Sequence, residues 1–366
     1  MVNGVDDRQQ TIAFVLPSLD GGGAERVTLN YLAGLKDADL RLVLISFVGA
    51  DQHSDVVPAH VEHIALGPGR LRATLLALVR TLFTLRPDII YSTIQHTNVA
   101  ILALSLLMFW RPKIIIREPN LPSRQLPALN FSRFLKIAYR LLYPKADKIV
   151  APSQQIISEL IRDFRISPGR TDTLANPIKE HYIRQLAAPV KRAPGPGLRL
   201  VSAGSLTLQK GFDRLLRSFA DMPADSHLTI LGAGPLEREL RDLAAKLECA
   251  DRIIFAGFMK NPWPYFAGAD AFLLASKWEG MPNVALEALA CGTPVIATPE
   301  SGAIAEIAAA APRGAVTVAP WGGRFTAAMA EVGARKDAGL RASLLPPGHD
   351  PAIVARRFGN ILQKIC

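Results

Sequence analysis

Two carboxylates, Glu279 and Glu287, separated by seven residues, stand in the stretch SKWEGMPNVALEALACGTPVIATP, which runs from Ser276 to Pro299. Glu279 follows an apolar run, Ala271 to Ala275, that reads as a buried parallel strand. Gly280, Met281 and Pro282 make a turn, and either Pro282 or Asn283 is suited to open a helix. Such a loop carries backbone N–H groups and a helix N-terminus to the carboxyl end of a strand, where an anion binds without any cationic side chain. An acid before the loop and another inside the helix add acceptors for hydroxyl groups. The chemistry implied is that of a ligand with both phosphates and hydroxyls, and a nucleotide sugar is such a ligand.

Other polar groups sit at comparable places. Gly21, Gly22 and Gly23 lie between a strand and a helix in LPSLDGGGAERV, where backbone can approach a ligand closely. No Gly-Lys-Ser follows, so this is not a Walker loop, nor is it a GxGxxG dinucleotide loop; a flexible surface turn is the alternative. Gly204-Ser205-Leu206 and Gln209-Lys210-Gly211 follow another strand, and Lys210 is placed to neutralise a diphosphate leaving group or simply to be solvated. Ile230 to Pro235 is a glycine-containing turn common to doubly wound sheets. Gly257 and Phe258 end a strand near where a base could lie, the alternative being a core phenylalanine. His96 and Asn98 follow the strand IIYST, and Arg117, Glu118 and Asn120 end the strand IIIR; each set reads as site residues or as polar loop residues. No cluster has metal-ligand spacing, and no Ser–His–Asp or Cys–His nucleophile set stands out.

The elements that must position these groups alternate regularly. Thr11–Pro17, Arg41–Phe47, Asp88–Ser92, Lys113–Arg117 and Lys148–Pro152 read as strands with helices between them, Ala24–Leu35 being the first. After the proline- and glycine-rich stretch Ala188–Gly197, which reads as a linker, strands recur at Leu198–Ala203, Leu228–Leu231, Arg252–Phe255, Ala271–Ala275 and Pro294–Ala297. This is the pattern of an α/β protein with parallel sheets. The expectation is two Rossmann-like domains facing across a cleft, 1–187 and 198–348, with a C-terminal helix over 349–366 that folds back onto the first.

At 366 residues, 49% of them hydrophobic, the chain can build two cores. Cys249, Cys291 and Cys366 match neither a disulfide framework nor a zinc pattern, which points to a reducing compartment. The first ten residues lack the basic start and apolar core of a secretory signal. No segment reaches the roughly 18–20 apolar residues of a membrane span, and Val99–Trp110, the nearest, reads as a buried helix. A soluble, cytoplasmic protein is expected. The formal net charge is +10, and between Leu66 and Lys148 thirteen basic residues face three acidic ones, so the whole excess lies there. Anionic lipid and anionic small substrates suit this segment. Nucleic acid is not expected, since no helix-turn-helix, finger or aromatic RNA-binding signature is present. In Phe131–Lys145 and Arg70–Phe83 the basic residues interleave with apolar ones, as in a helix lying on a membrane surface. Ordinary amphipathic helices with solvated cations are the alternative.

Taken together, GGGAERV from Gly21, QKGFD from Gln209 and the E-x7-E stretch EGMPNVALEALACGTPVIAT from Glu279 resemble the retaining, metal-independent glycosyltransferases of GT-B architecture (glycosyl transferases group 1, glycosyltransferase family 4). The resemblance spans nearly the whole chain. It implies that Glu287 holds the ribose hydroxyls of the nucleotide and Glu279 the hydroxyls of the donor sugar. It implies further that Lys210 with the backbone at Gly280, Met281, Pro282 and Asn283 holds sugar and diphosphate, with Gly22 and Gly23 contributing from the first domain. Ser205, Gly257 and Phe258 would complete the donor site, and His96, Arg117 and Glu118 join Glu279 and Lys210 as catalytic candidates. No metal and no cofactor beyond the nucleotide-sugar co-substrate are implied. The activity implied is transfer of a hexose, from a UDP-sugar in preference to a GDP-sugar, onto a lipid-linked or membrane-anchored glycan at the inner face of a bacterial membrane, in polysaccharide or lipopolysaccharide synthesis. The acceptor would attack from the face of the leaving group, which requires no protein nucleophile. Two positions depart from the family pattern: Ser205 stands where an arginine is usual, and Pro119 where many relatives carry histidine, leaving Arg26, Arg117 or Arg124 to supply charge. An inactive, glycan- or partner-binding relative is the alternative reading. A nicotinamide-dependent oxidoreductase is disfavoured by the missing GxGxxG, and an epimerase or phosphorylase of the same architecture by the GGGAER loop.

Overall fold

A computed structural model of the chain describes residues 9–19, 22–47, 57–67, 71–129, 131–188, 190–192, 197–335 and 339–365. Gly21 and Cys366, both named above, lie outside them. The chain divides into two units, one of residues 1–177 with 351–366 and the other of residues 178–350.

In the first unit seven strands form one parallel sheet in the order β3-β2-β1-β4-β5-β6-β7: β1 Gln10–Leu16, β2 Leu40–Ser46, β3 Glu62–Ala65, β4 Ile89–Thr93, β5 Lys113–Arg117, β6 Lys148–Ala151 and β7 Thr171–Thr173. The central strands are apolar on both faces because helices cover both. On one face the Gly23–Gly34 helix and the terminal Pro351–Ile365 helix bury Phe14, Tyr31, Tyr91 and Phe358 against one another. These two helices pack so closely that a Cβ added at Gly34 would lie 2.5 Å from that of Ala355. On the other face lie the helices Leu71–Leu85, Gln95–Ser105, Ser132–Leu142 and Gln154–Phe164, over a core that includes Leu78, Ile101, Tyr139 and Leu160.

The second unit repeats the plan with six strands in the order β10-β9-β8-β11-β12-β13: β8 Arg199–Ala203, β9 His227–Leu231, β10 Ile253–Gly257, β11 Ala271–Leu274, β12 Val295–Ala297 and β13 Val316–Val318. The Glu180–Ala187 helix, which the sequence places at the end of the first domain, belongs here: Ile183 and Ala187 are buried in the second unit's core. Lys191 and Arg192, in the stretch read as a linker, are bound to this unit as well, through Pro264 and Asp270.

Each sheet reverses strand order once, between β1 and β4 in the first and between β8 and β11 in the second. Loops leaving the carboxyl ends of the strands diverge at such a point and open a crevice for ligands. The glycine loop follows β1, His96 follows β4, Lys210 follows β8 and Glu279 follows β11. The reversals therefore select the glycine loop and three of the side chains singled out above.

Candidate active site

In the second unit the loop after β8 closes in a short turn, Leu208–Lys210, before Gly211 opens the Phe212–Ala220 helix. Gly211 has φ +65°, and a Cβ there would lie 2.1 Å from the carbonyl oxygen of Ala275, so both conformation and space require glycine. This turn delivers Lys210 to the loop after β11. Lys210 Nζ donates to Glu279 Oε1 at 2.5 Å, and Ser276 Oγ donates to the same oxygen at 2.9 Å. The Glu279 side chain is 8% exposed, so its carboxylate is held by these two donors rather than by bulk water.

The loop is pinned from several sides. Arg214, one turn beyond Lys210, donates through Nε to Ala275 O at 2.7 Å and through Nη2 to Ser276 O at 2.5 Å. Lys277 Nζ donates to Asp213 Oδ2 at 3.0 Å, and Gln209 Nε2 to Trp278 O at 3.1 Å. Behind the turn, Gly280 O accepts from Ala303 N–H at 2.9 Å. Gly302, with φ +71°, leaves room for that approach: a Cβ there would meet Gly280 O at 2.5 Å and Glu279 O at 2.6 Å. Pro282 occupies the cap position and Asn283 begins the Asn283–Ala290 helix, so Gly280, Met281 and Pro282 form the turn at its N-terminus. One turn on, Glu287 is 8% exposed, and its Oε2 accepts from Trp263 Nε1 at 2.9 Å. Cys291 is buried one turn further along, and burial, with the Glu287 charge, pushes its thiol up to about 12.

Lys210, Glu279 and the turn preceding Glu287 thus meet at the reversal between β8 and β11. Ser205 is exposed in the β8 loop. Gly257 and Phe258 lie apart from this cluster, at and just after the end of edge strand β10, two strands from β8. Phe258 is 72% exposed, against the core reading of that residue, because it lies past the end of the strand in the loop that follows.

In the first unit Gly22 and Gly23 are exposed at the start of their helix. The N–H of Gly22 already has an acceptor: Glu25 Oε2 reaches back to it at 2.8 Å, as in a capping box, while Ser18 Oγ holds the other carboxylate oxygen. His96 is exposed on the second residue of the Gln95–Ser105 helix, and the desolvation it does experience lowers its pKa. Arg117 and Glu118 differ, being 2% and 0% exposed. Arg117 Nη2 donates to Asn176 Oδ1 at 2.7 Å, and Asn98 Nδ2 donates to the Arg117 carbonyl at 2.9 Å. Glu118 Oε2 accepts from the hydroxyls of Tyr139 and Tyr143, each at 2.7 Å. Burial raises the Glu118 carboxyl to about 7, against the opposing pull of the two tyrosines, the Asn120 backbone and Arg117. The bonds of both side chains are internal: Glu118 ties the end of β5 to the Ser132–Leu142 helix and its cap residue Tyr143, and Arg117 ties it to Asn176.

Sequence reasoning missed Ser276, Arg214, Trp263 and Glu25. Glu25 stands three residues after Gly22, the spacing that marks reciprocal hydrogen bonding at a helix start, and Ser276 and Glu279 have the same spacing within the loop. Trp263 has no comparable signal.

Two doubly wound parallel units, each with polar loops at its strand reversal, make up the GT-B architecture, and solved structures share the fold. An Anabaena protein, Alr3699/HepE, in complex with UDP and glucose superposes with a TM-score of 0.76 at 19% identity, covering 97% of this chain and all of that one. The apo form of the lipopolysaccharide outer core galactosyltransferase WaaB superposes at 0.69, also at 19% identity, covering 97% of this chain and 100% of that one. In sequence, residues 21–181 match the model of Glycosyltransferase Family 4 and residues 185–333 that of Glycosyl transferases group 1. The N-acetylgalactosamine-N,N'-diacetylbacillosaminyl-diphospho-undecaprenol 4-alpha-N-acetylgalactosaminyltransferase of Campylobacter jejuni subsp. jejuni serotype O:2 is 30% identical over 312 residues, 81% of this chain and 83% of that protein. The chain belongs to this family of GT-B glycosyltransferases and is itself a glycosyltransferase.

Proposed function

We propose that this glycosyltransferase moves a hexose, with retention of configuration and without a metal, from a UDP-sugar to a lipid-linked or membrane-anchored glycan during bacterial polysaccharide or lipopolysaccharide synthesis. The observation that carries the reading is the Lys210–Glu279–Ser276 cluster at the strand reversal of the second unit, beside the turn that opens the Glu287 helix. In this reading the diphosphate takes Lys210 and the N–H groups of the Gly280–Asn283 turn, Glu279 turns to the sugar hydroxyls, and Glu287 holds the ribose. Charge developing on the departing diphosphate is then met by donors already in place. The Campylobacter relative, named for an undecaprenol-linked acceptor, supports the choice of acceptor, and the UDP complexes of the Anabaena structural neighbour support the choice of nucleotide.

The acceptor places the enzyme at a membrane. Among the described residues no helix is long and apolar enough to cross one. The basic segment 66–148 is the proposed contact with the anionic inner face. Unlike an ordinary amphipathic helix, Ser132–Leu142 exposes large apolar side chains next to its cations, which supports this placement.

A thermal-shift screen against UDP, GDP, ADP, their sugar conjugates and NAD(H) tests the donor. At a hundredfold excess over its dissociation constant a ligand adds about 2.7 kcal/mol. A shift with UDP and UDP-sugars alone, followed by an α-linked product from an α-linked donor by NMR, is expected. Absence of any shift would overturn the reading and favour the binding-protein alternative, in which exposed Ser205 marks a donor site short of one cation.

A further inference from the structure

The outer surface of the Ser132–Leu142 helix carries two adjacent stripes. Phe134, Ile137 and Leu141, spaced three and four residues apart, share one side and are 64%, 57% and 65% exposed; Phe131, just before the helix, is 83% exposed. Leu106, Leu107 and Phe109, at the end of the neighbouring Gln95–Ser105 helix, are exposed as well. A concentration of bare apolar side chains on one layer of a unit marks a surface that something covers. The second stripe, Arg133, Lys136 and Arg140, lines a cavity of about 660 Å³ whose wall also includes Arg162 and Arg165, at the end of the Gln154–Phe164 helix.

Five cations thus surround one cavity. Asp163, the acid in its wall, is held by Arg162 through two bonds of 2.7 and 2.9 Å. Among the described residues, none of Arg133, Lys136, Arg140 and Arg165 lies within ion-pair distance of a carboxylate. Arg165 has φ +57°, the left-handed conformation that usually takes glycine or asparagine after a helix, so a cation stands where the backbone favours a smaller residue. Five cations around the single acid Asp163 leave the cavity with a large net positive charge, which suits an anion, and one bordered by an apolar ridge matches the boundary between lipid headgroups and acyl chains.

We propose that this cavity seats the phosphate headgroup of an anionic phospholipid while Phe131, Phe134, Ile137 and Leu141 insert beside it. This rests on the membrane placement above and narrows it. Arg162 and Arg165 lie outside the basic segment 66–148, and general charge attraction gives them no special part. A headgroup seat does.

Flotation of the full-length protein with phosphatidylcholine vesicles, with and without about one third phosphatidylglycerol, tests the proposal. The wild type is expected to bind the anionic vesicles. Arg162→Gln/Arg165→Gln should bind about thirtyfold more weakly, the loss for two surface cations at about 1 kcal/mol each. Arg313→Gln/Arg324→Gln, which removes the same charge from exposed positions in the other unit, should bind no more weakly than the wild type. Phe134→Ser/Ile137→Ser should bind more weakly and lose its residual binding at high salt. An unchanged thermal shift with UDP reports that each variant is folded. If Arg162→Gln/Arg165→Gln binds like the wild type while the ridge variant is weakened, the headgroup seat is refuted and the membrane placement survives. Failure of the wild type to bind any vesicle refutes both. If inorganic pyrophosphate stabilises the wild type but not Arg162→Gln/Arg165→Gln, and both bind vesicles equally, the cavity serves a soluble phosphate and the proposal is overturned.

Discussion

Removing Lys210 and removing Glu279 should have opposite consequences for nucleotide binding, because the two are paired before any ligand arrives. At 2.5 Å and an effective dielectric constant of about 20, their attraction is roughly 7 kcal/mol before desolvation is subtracted. The partners are unequally buried, with 19% of the lysine side chain exposed and 8% of the glutamate. Lys210→Ala leaves the Glu279 carboxylate with the Ser276 hydroxyl alone, so the ligand-free protein should lose about 3 kcal/mol, the low end for breaking a buried pair. Glu279→Ala leaves a flexible lysine that can swing to water, and the cost should be about 1 kcal/mol. The double variant should resemble Glu279→Ala, giving a coupling of about 3 kcal/mol in a double-mutant cycle read from urea unfolding. For UDP the two changes differ in sign rather than only in size. Lys210→Ala should weaken binding by about tenfold or more, whereas Glu279→Ala, by releasing Lys210 from its competitor, should leave UDP affinity equal or higher by calorimetry. Turnover with the sugar donor should nevertheless fall about 10²–10³-fold in Glu279→Ala, as when one transition-state contact is lost. Additive stability effects, or an equal loss of UDP affinity in both single variants, would refute the pairing as a device that sets the state of the donor site.

Three further outcomes follow from the geometry. Glu287→Ala should raise the dissociation constant for UDP with little change in turnover at saturation, and Trp263→Phe, which removes the 2.9 Å bond to Glu287, should shift affinity the same way by about 1 kcal/mol; calorimetry reads both. Gly302→Ala should destabilise the second unit by about 2 kcal/mol or more and lower UDP affinity, since the added methyl would push on the Glu279 and Gly280 carbonyls at a positive φ; a melting curve with and without UDP separates the two effects. Glu118 has a folded pKa raised from 4.5 to about 7, so its protonation-linked stabilisation is full below about pH 4.5 and lost as pH rises through about 7. The loss is of the order of 3 kcal/mol. Glu118→Gln should flatten this slope in melting temperature against pH, and a slope identical to that of the wild type would remove Glu118 as its source.

The parallel strands were legible because strands covered on both faces read as unbroken apolar runs; IIYST and IIIR end within a residue or two of where β4 and β5 end. β3, β7 and β13 were missed for the converse reason. Glu62–Ala65, Thr171–Thr173 and Val316–Val318 are sheet edges, short and partly exposed, and carry no such run. Val99–Trp110 read as a buried helix on hydropathy alone, but the helix ends at Ser105, leaving Leu106, Leu107 and Phe109 exposed while Arg86 covers the Phe109 ring. In the site, Lys210 and Glu279 were each visible from their loops. Their contact was not, since 69 residues separate them and the strand order that joins them is a property of the sheet. Arg117 and Glu118 show the limit of position as a guide. Both stand at the ligand-binding end of a strand, Arg117 as its last residue and Glu118 just after it, yet their partners, Asn176 and the two tyrosines, come from elements that no local pattern assigns to them.

Those tyrosines also explain how a helix with so exposed an apolar face stays in place. Fully burying one large apolar side chain stabilises a fold by about 1.5–3 kcal/mol, and the Ser132–Leu142 helix forgoes much of this at Phe134, Ile137 and Leu141. A polar anchor compensates: Tyr139 in the helix and Tyr143 at its cap stack with ring centroids 3.8 Å apart and converge on the single Glu118 oxygen. Hydrogen bonds to a group that can be ionised are stronger and more directional than apolar contact, so the anchor fixes the rotation of the helix as well as its position. The rotation decides which stripe faces the cavity of Arg162 and Arg165 and which faces outward. Glu118→Gln keeps an acceptor for the tyrosines and should preserve vesicle binding, whereas Tyr139→Phe/Tyr143→Phe removes both donors and should reduce it. Equal vesicle binding by both variants would mean that packing alone sets the rotation of the helix.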